Sequence, residues 1–234
     1  MIEQIKELCG INATSGREEK VRDYIISKIE GKCEYKIDRL GNLIAFKKGK
    51  NKSKNKIMLD AHMDEVGFII TGVTDKGYLT FQSVGGVDPA VIAGKSCVVG
   101  EKKANGVFGI KPIHLVDKNE ENILPDIDKM YIDIGANSKE EALRTVAPGD
   151  AAYFSSEFVE MGEGFIKSKA LDDRVGCSIL IDMINSNTEY DLYFSFSTRE
   201  EVGSGACVAA FNIKPDYALV LETTTAADIH PAKG

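Results

Sequence analysis

The chain has 234 residues, 43% hydrophobic and 28% charged, with 29 basic against 36 acidic side chains and a formal net charge of −7. That composition is ordinary for a globular protein and excludes a disordered or collagen-like chain. The acidic balance, with no basic face in the sequence, also excludes a general nucleic-acid binder and gives no attraction to an anionic membrane surface.

Ile2, Ile5, Leu8 and Cys9 recur at helical spacing and predict a first helix. Ser15-Gly16-Arg17-Glu18 reads as a capping box, with Ser15 as N-cap and Glu18 reaching back. The helix it opens has Val21, Tyr24, Ile25 and Ile29 on its apolar face and stops at Gly31. Residues 33–48 predict a hairpin turning near Leu40-Gly41-Asn42, and the lysine-rich run 48–56 a solvated turn. Residues 57–61 form a buried strand that delivers His62-Met63-Asp64-Glu65. Between 67 and 163 short β-rich runs alternate with glycine turns, the texture of a small antiparallel barrel or sandwich, with one helix at SKEEALRTV. From 164 the α/β texture returns. A helix covers 172–186 with Val175, Ile179, Leu180 and Met183 as its apolar residues. A strand, LYFSFST, leads to Arg199-Glu200-Glu201, GACVAAF is a short helix, and YALVLE is a strand ending at Glu222.

The expected fold class is therefore α/β: a domain built from residues 1–66 and 164–234, interrupted over 67–163 by an all-β, barrel-like domain. Length allows such a division and a core that needs no staple. The five cysteines are widely spaced and mostly flanked by apolar residues, which suits reduced thiols. With no signal-peptide core in MIEQIKELCG and no apolar run near the roughly 20 residues of a membrane span, a cytoplasmic location is expected.

Acids and a histidine gather at the predicted strand ends: His62 and Asp64, Glu200 and Glu201, and Glu222, with Asp172-Asp173 opening a helix. Ligands of open α/β sheets bind outside the carboxyl ends of the strands, so these groups can converge. Singly each is weak. An H-x-D triplet is usually incidental, Asp172-Asp173 suits a helix N-terminus, and Glu200-Glu201 suits a solvated loop. Glu222 stands out because a carboxylate ending an apolar strand should be paired or ligating. Together, one imidazole and several carboxylates suit zinc, cobalt or manganese. A bridging carboxylate would allow two metals, one of two adjacent glutamates could remain free as a general base, and Asp64 could orient His62 through its second nitrogen.

AHMDEVGFI, VGGVDP, GIKPIHL, YIDIGANSKEEA, VAPGD, KALDDRVG, REEVGSGA and VLETTTAADIHP occur in this order. The chain thereby resembles, over nearly its whole length, the tetrahedral aminopeptidase family of dinuclear metallopeptidases, which act as glutamyl, leucyl or lysyl aminopeptidases and are sometimes labelled cellulases or endoglucanases. The resemblance implies that His62, Asp172 and Glu222 hold one metal, and that Asp172 bridges to a second, zinc or cobalt, also held by Glu201. It implies Glu200 as general base, Asp64 as the residue that orients His62, a peptide as substrate, and homo-oligomers formed through the β domain. Two departures stand out. Glu222 replaces what is more often an aspartate, and the family continues beyond this length with a further histidine ligand. The chain is accordingly expected to be C-terminally incomplete, to leave its second metal short of ligands, and to expose an apolar sheet edge. His230 is a weak replacement ligand, and His114 is expected to be structural or at the surface. Two rival readings follow. One is an inactive fragment that serves only as an assembly or binding module. The other is a glycosidase, which would need two flanking carboxylates but no histidine arranged with bridging acids.

Overall fold

The protein is described from a computed structural model that covers residues 1–116, 125–203 and 205–226. In chain order the elements are α1 (Ile2–Cys9), α2 (Glu19–Ile29), β1 (Glu34–Ile37), β2 (Leu43–Lys47), β3 (Ile57–His62), β4 (Gly67–Val73), β5 (Leu79–Val84), β6 (Ser96–Val99), β7 (Ala104–Gly109), β8 (Tyr131–Asp133), α3 (Lys139–Leu143), β9 (Ala151–Phe154), β10 (Val159–Met161), β11 (Phe165–Lys167), α4 (Leu171–Asn185), β12 (Leu192–Ser197), α5 (Gly205–Ile213) and β13 (Tyr217–Val220).

Five strands form one sheet in the order β1-β2-β12-β3-β13. The β1/β2 and β2/β12 pairs are antiparallel, whereas β12/β3 and β3/β13 are parallel. The interior strand β3 is apolar on one face through Leu59 and Ala61, and α1, α2 and α4 cover that face in a single core with Leu8, Val21, Ile25, Leu180, Ile181 and Phe194. On the opposite face α5 packs Ala209 and Ile213 against Ile44 and Met58. The strands of this sheet come from both sides of the barrel segment in the sequence, so the chain leaves the sheet after His62 and returns to it at Leu192.

Strands β4-β5-β8-β7-β6-β9 close into a six-stranded barrel. Its interior is apolar and rich in phenylalanine. The rings of Phe68 and Phe108 lie 4.6 Å apart between centroids, and Phe68 meets Phe81 edge-on at 5.2 Å. Such pairs add about 0.5–1.5 kcal/mol beyond the area they bury. Gly67 lets the barrel begin close to the sheet, because a Cβ there would overlap the side chain of Thr14. β10 and β11 pair as a separate hairpin that runs across residue 163.

Two local expectations change. Ser15 does not cap α2: its hydroxyl donates to Asp64 Oδ2, and Glu18 Oε1 accepts from the backbone N–H groups of Gly16 at 2.7 Å and Arg199 at 3.1 Å. Both side chains have tertiary partners that a local motif cannot anticipate. On α4 the fully buried stripe is Cys177, Leu180, Ile181 and Ile184, while Val175, Ile179 and Met183 lie on its flanks. A helix apolar on nearly every side does not declare which stripe meets the sheet. The expected exposed apolar sheet edge is present: β13 is exposed at all four positions, with Tyr217 at 65% and Leu219 at 60%, and among the described residues no strand pairs with its outer side. Glu222 follows this open strand, just beyond Val220.

Candidate metal centre

Parallel pairing explains why residues far apart in sequence meet. Ser197 of β12 stands level with His62 of β3, and Val220 of β13 with Asp60, so all three strands run out at the same edge of the sheet. The next residues after each strand carry His62-Met63-Asp64, Arg199-Glu200-Glu201 and Glu222. The N-terminus of α4, packed on β3, brings Asp172 to the same edge. This is the crevice at the carboxyl ends of parallel strands where α/β proteins place ligands.

His62 is the centre of the group and is 2% exposed. Its Nδ1 lies 3.1 Å from the carbonyl oxygen of Asp64 and 3.4 Å from Asp64 Oδ1. A proton on Nδ1 is thus donated to Asp64, and Nε2 faces outward. Nε2 stands 3.0 Å from Asp172 Oδ1 and 3.8 Å from Glu222 Oε1. One ligand atom from each of His62, Asp172 and Glu222 falls within 4.8 Å of the other two. With metal–ligand bonds of about 2.0–2.2 Å, the donors of a tetrahedral ion stand roughly 3.3–3.6 Å apart. The donor set and its spacing therefore fit a divalent cation after small side-chain movements.

Asp64 is fully buried and collects three donors besides the imidazole: the Ser15 hydroxyl, and the backbone N–H groups of Glu200 at 3.1 Å and Glu201 at 3.2 Å. One carboxylate thereby orients His62 and fixes the short 3-10 turn Glu200–Val202 beside it. Glu201 lies outside the group of three, and its Cβ and Oε2 pack close to Gly85, in the barrel loop after β5. Asp173, the neighbouring acid, accepts the N–H of Gly176 in the first turn of α4 at 2.9 Å. Gly176 leaves room for that contact, since a Cβ there would overlap the carboxylate. The two aspartates thus divide the roles the sequence left open between them. His114 lies exposed in the short turn Ile113–Leu115, and His230 lies outside the described residues.

The electrostatics are those of a crowded anionic site. Burial raises Glu201 to about 7, with the charges of Asp172, Asp64 and Glu200 adding to it and His62 opposing. Burial likewise raises Asp173 to about 7. Glu222 is raised by burial and by its hydrogen bond with Asp172. Burial alone would lower His62, but its bond to Asp64 and the charges of Asp64, Asp173 and Glu222 carry it up to about 10. Burial also works against the Asp64 carboxylate, yet hydrogen bonds from His62 and Ser15 hold it below the usual range. A cation placed among these groups relieves the repulsion that raises the acids.

Sequence reasoning missed Glu65, Lys169 and Arg174, which lie behind the site as a buried charge cluster. Glu65 is 3% and Arg174 0% exposed. Their signal was charge embedded in otherwise apolar or glycine-bearing motifs, HMDEVG and KALDDRVG.

The family described as M42 glutamyl aminopeptidase matches residues 41–233. A protein of Acetivibrio thermocellus, named as a candidate aminopeptidase, is 45% identical over 233 residues, which is 97% of this chain and 67% of that protein. An aminopeptidase from the archaeon Desulfurococcus kamchatkensis superposes with a TM-score of 0.91 at 36% identity, over 99% of this chain and 65% of its own. A TET peptidase of Pyrococcus horikoshii, described as assembling into a tetrahedron or a large octahedral shell, superposes at 0.84 and 37% identity, over 97% of this chain and 72% of its own. The chain spans about two thirds of the length of the curated relatives it matches.

Proposed function

Because the chain belongs to the M42 glutamyl aminopeptidase family, we propose that its site is that of a metal-dependent aminopeptidase, which removes N-terminal residues from peptides. The observation that carries this reading is the convergence of His62 Nε2, Asp172 and Glu222 within 4.8 Å, with Asp64 behind the imidazole. His62, Asp172 and Glu222 would hold one divalent cation, and Asp172 with Glu201 a second, zinc or cobalt suiting both. When bound, the cations supply Lewis-acid polarisation of the scissile carbonyl and acidify water.

The remaining chemistry belongs to side chains. Asp64 keeps the Nδ1 proton of His62 in place and aims Nε2 at the site. It also anchors the backbone of Glu200, whose carboxylate takes the proton of the attacking water and passes it to the leaving amine. The excess of acids favours a substrate's free ammonium terminus, which accounts for action at chain ends. The barrel is proposed as the surface through which copies of the chain associate. The TET peptidase of P. horikoshii, so similar in fold, supports that reading by its own assembly.

The test measures bound zinc or cobalt per chain and the hydrolysis of aminoacyl-p-nitroanilides, for the wild type and Glu200→Ala. Metal-dependent hydrolysis that Glu200→Ala abolishes while keeping its metal supports the assignment. Hydrolysis unchanged by the substitution would remove Glu200 from its role, and a folded chain that binds no metal would remove the metallopeptidase reading altogether.

A further inference from the structure

Glu65 follows the site strand by three residues and is held from several directions. Its backbone N–H donates to the carbonyl of Ala13 at 2.9 Å, and its Oε1 accepts the N–H of Ala13 at 3.0 Å. Both carboxylate oxygens lie 2.7 Å from Lys169 Nζ, and Oε1 lies 3.8 Å from Arg174 Nη2. Lys169 and Arg174 stand three residues before and two residues after Asp172, so one carboxylate is hydrogen-bonded on one side of the turn that carries this acid and lies in ion-pair reach of the other side. Between them Ala170 adopts a left-handed conformation, φ +55°, which is costly for a residue with a Cβ. Its carbonyl is tied down by the N–H of Arg174 at 3.3 Å and by the Cys9 thiol at 3.7 Å. The other arm of Arg174 donates from Nη1 to the carbonyls of Leu8 and Ile11, the latter at 3.1 Å.

Three charged groups buried together are poor stabilisers, since desolvation offsets most of their attraction and apolar residues of equal volume usually do as well. What such a cluster does supply is fixed geometry. The carboxylate joins the end of the strand that bears His62 to both flanks of the turn that bears Asp172. We propose that Glu65 is a positioning residue of the cation site: by holding Lys169 and Arg174 on either side of Asp172, it sets where that carboxylate stands relative to the His62 imidazole. The proposal rests on the reading of His62 and Asp172 as cation ligands, and Glu65 itself touches neither.

The test uses the 234-residue chain and two readouts. First, crystal structures of metal-free wild type and Glu65→Gln are compared at the His62 Nε2–Asp172 Oδ1 separation, 3.0 Å in the native chain. Displacement of the Asp172 turn with the sheet and barrel superposable is expected, and an unmoved Asp172 overturns the proposal. Second, Co²⁺ is titrated while its visible absorption is recorded. Glu65→Gln is expected to weaken Co²⁺ binding by about 10–100-fold, as losing an outer partner of a ligand usually does, and to alter the absorption bands. Lys169→Met should behave like it, while Lys169→Arg, which keeps the ion pair, should return towards wild type. Affinity and spectrum equal to wild type in both Glu65→Gln and Lys169→Met, with only the melting temperature lowered, mean a merely structural cluster and overturn the proposal. If Glu65→Gln does not fold, Lys169→Met is held to the same two criteria. A wild type that binds no Co²⁺ sinks the metallopeptidase reading, and the crystallographic arm still decides whether Glu65 places Asp172.

Discussion

Between residues 67 and 154 the barrel buries Phe68, Phe81, Phe108 and Ile132, and among the described residues no polar or charged side chain is buried with them. At the carboxyl edge of the sheet, Asp60, His62, Asp64, Glu65, Asp173 and Arg174 are all buried. Apolar burial stabilises in proportion to area, about 25 cal/mol per Å². Burying a charge costs free energy unless it is paired and hydrogen-bonded. The barrel therefore reads as structure that maintains itself. The sheet edge reads as an arrangement kept at a cost, and such costs are tolerated where geometry serves a ligand.

Substitutions should separate the two regions. The largest expected effect is Phe108→Ala in the barrel, which should lower stability by about 3–5 kcal/mol by leaving a cavity. Metal bound per folded chain should not change. A loss of metal affinity in the chains that remain folded would break the division between the regions.

Asp64→Asn makes the converse test. It keeps the shape of a fully buried side chain but removes the charge that orients His62. Metal affinity should fall about 10–100-fold, measured by competition with a chromophoric chelator. A variant with native affinity would show that the imidazole needs no partner.

Proton linkage sharpens the contrast further. The folded pKa of His62, about 10, lies above its ordinary 6.5. Its contribution to stability is therefore complete below pH 6.5 and is lost as the pH rises towards 10. Asp173 and Glu201, at about 7 against ordinary values of 3.8 and 4.5, act in the same direction, their folded forms keeping protons that rising pH removes. The melting temperature of the metal-free chain should therefore fall between pH 5 and 10. Metal affinity should rise over the same range, since metal displaces those protons. Melting curves independent of pH would contradict the buried electrostatics.

Ser15→Ala is a further test, costing about 1.5–3 kcal/mol for a hydrogen bond to a charged group. If the hydroxyl serves Asp64 rather than α2, metal affinity should drop with it, and a purely helical loss of circular dichroism would restore the capping role. Smallest of all, Lys20→Ala removes an exposed pair, Lys20 Nζ to Glu101 Oε2 at 3.2 Å, that crosses between α2 and the barrel. The expected cost is about 0.2–1 kcal/mol, read from denaturant midpoints. A larger cost would mean that this contact, rather than the Thr14–Gly67 approach, joins the two regions.

Much of this was legible in the sequence. The short β-rich runs between 67 and 163, set off by glycine turns, announced short strands, because β-branched and aromatic residues suit strands and glycine marks the turns between them. The apolar run 57–61 announced a buried strand that ends at His62. The acids at the ends of predicted strands could be named as a site, because parallel strands of one sheet release their carboxyl ends along one edge. The α4 stripe was read less well. Asp173 and Asp172 could not be told apart, since adjacent aspartates at a helix start look alike until one finds the N–H of Gly176 and the other finds His62.

Composition and local pattern alone announced a mixed α/β fold, most of the strands and the histidine and acids gathered at the strand ends, because hydrophobic pattern and residue chemistry act over a few residues. Tertiary structure alone decided the rest: that Ser15 serves Asp64 instead of a helix, and that Glu65 joins Lys169 to Arg174. These choices are made by partners 49 and 104 residues away in sequence. A hydrogen-bonding group takes whichever partner the fold brings within reach, and no local pattern records that.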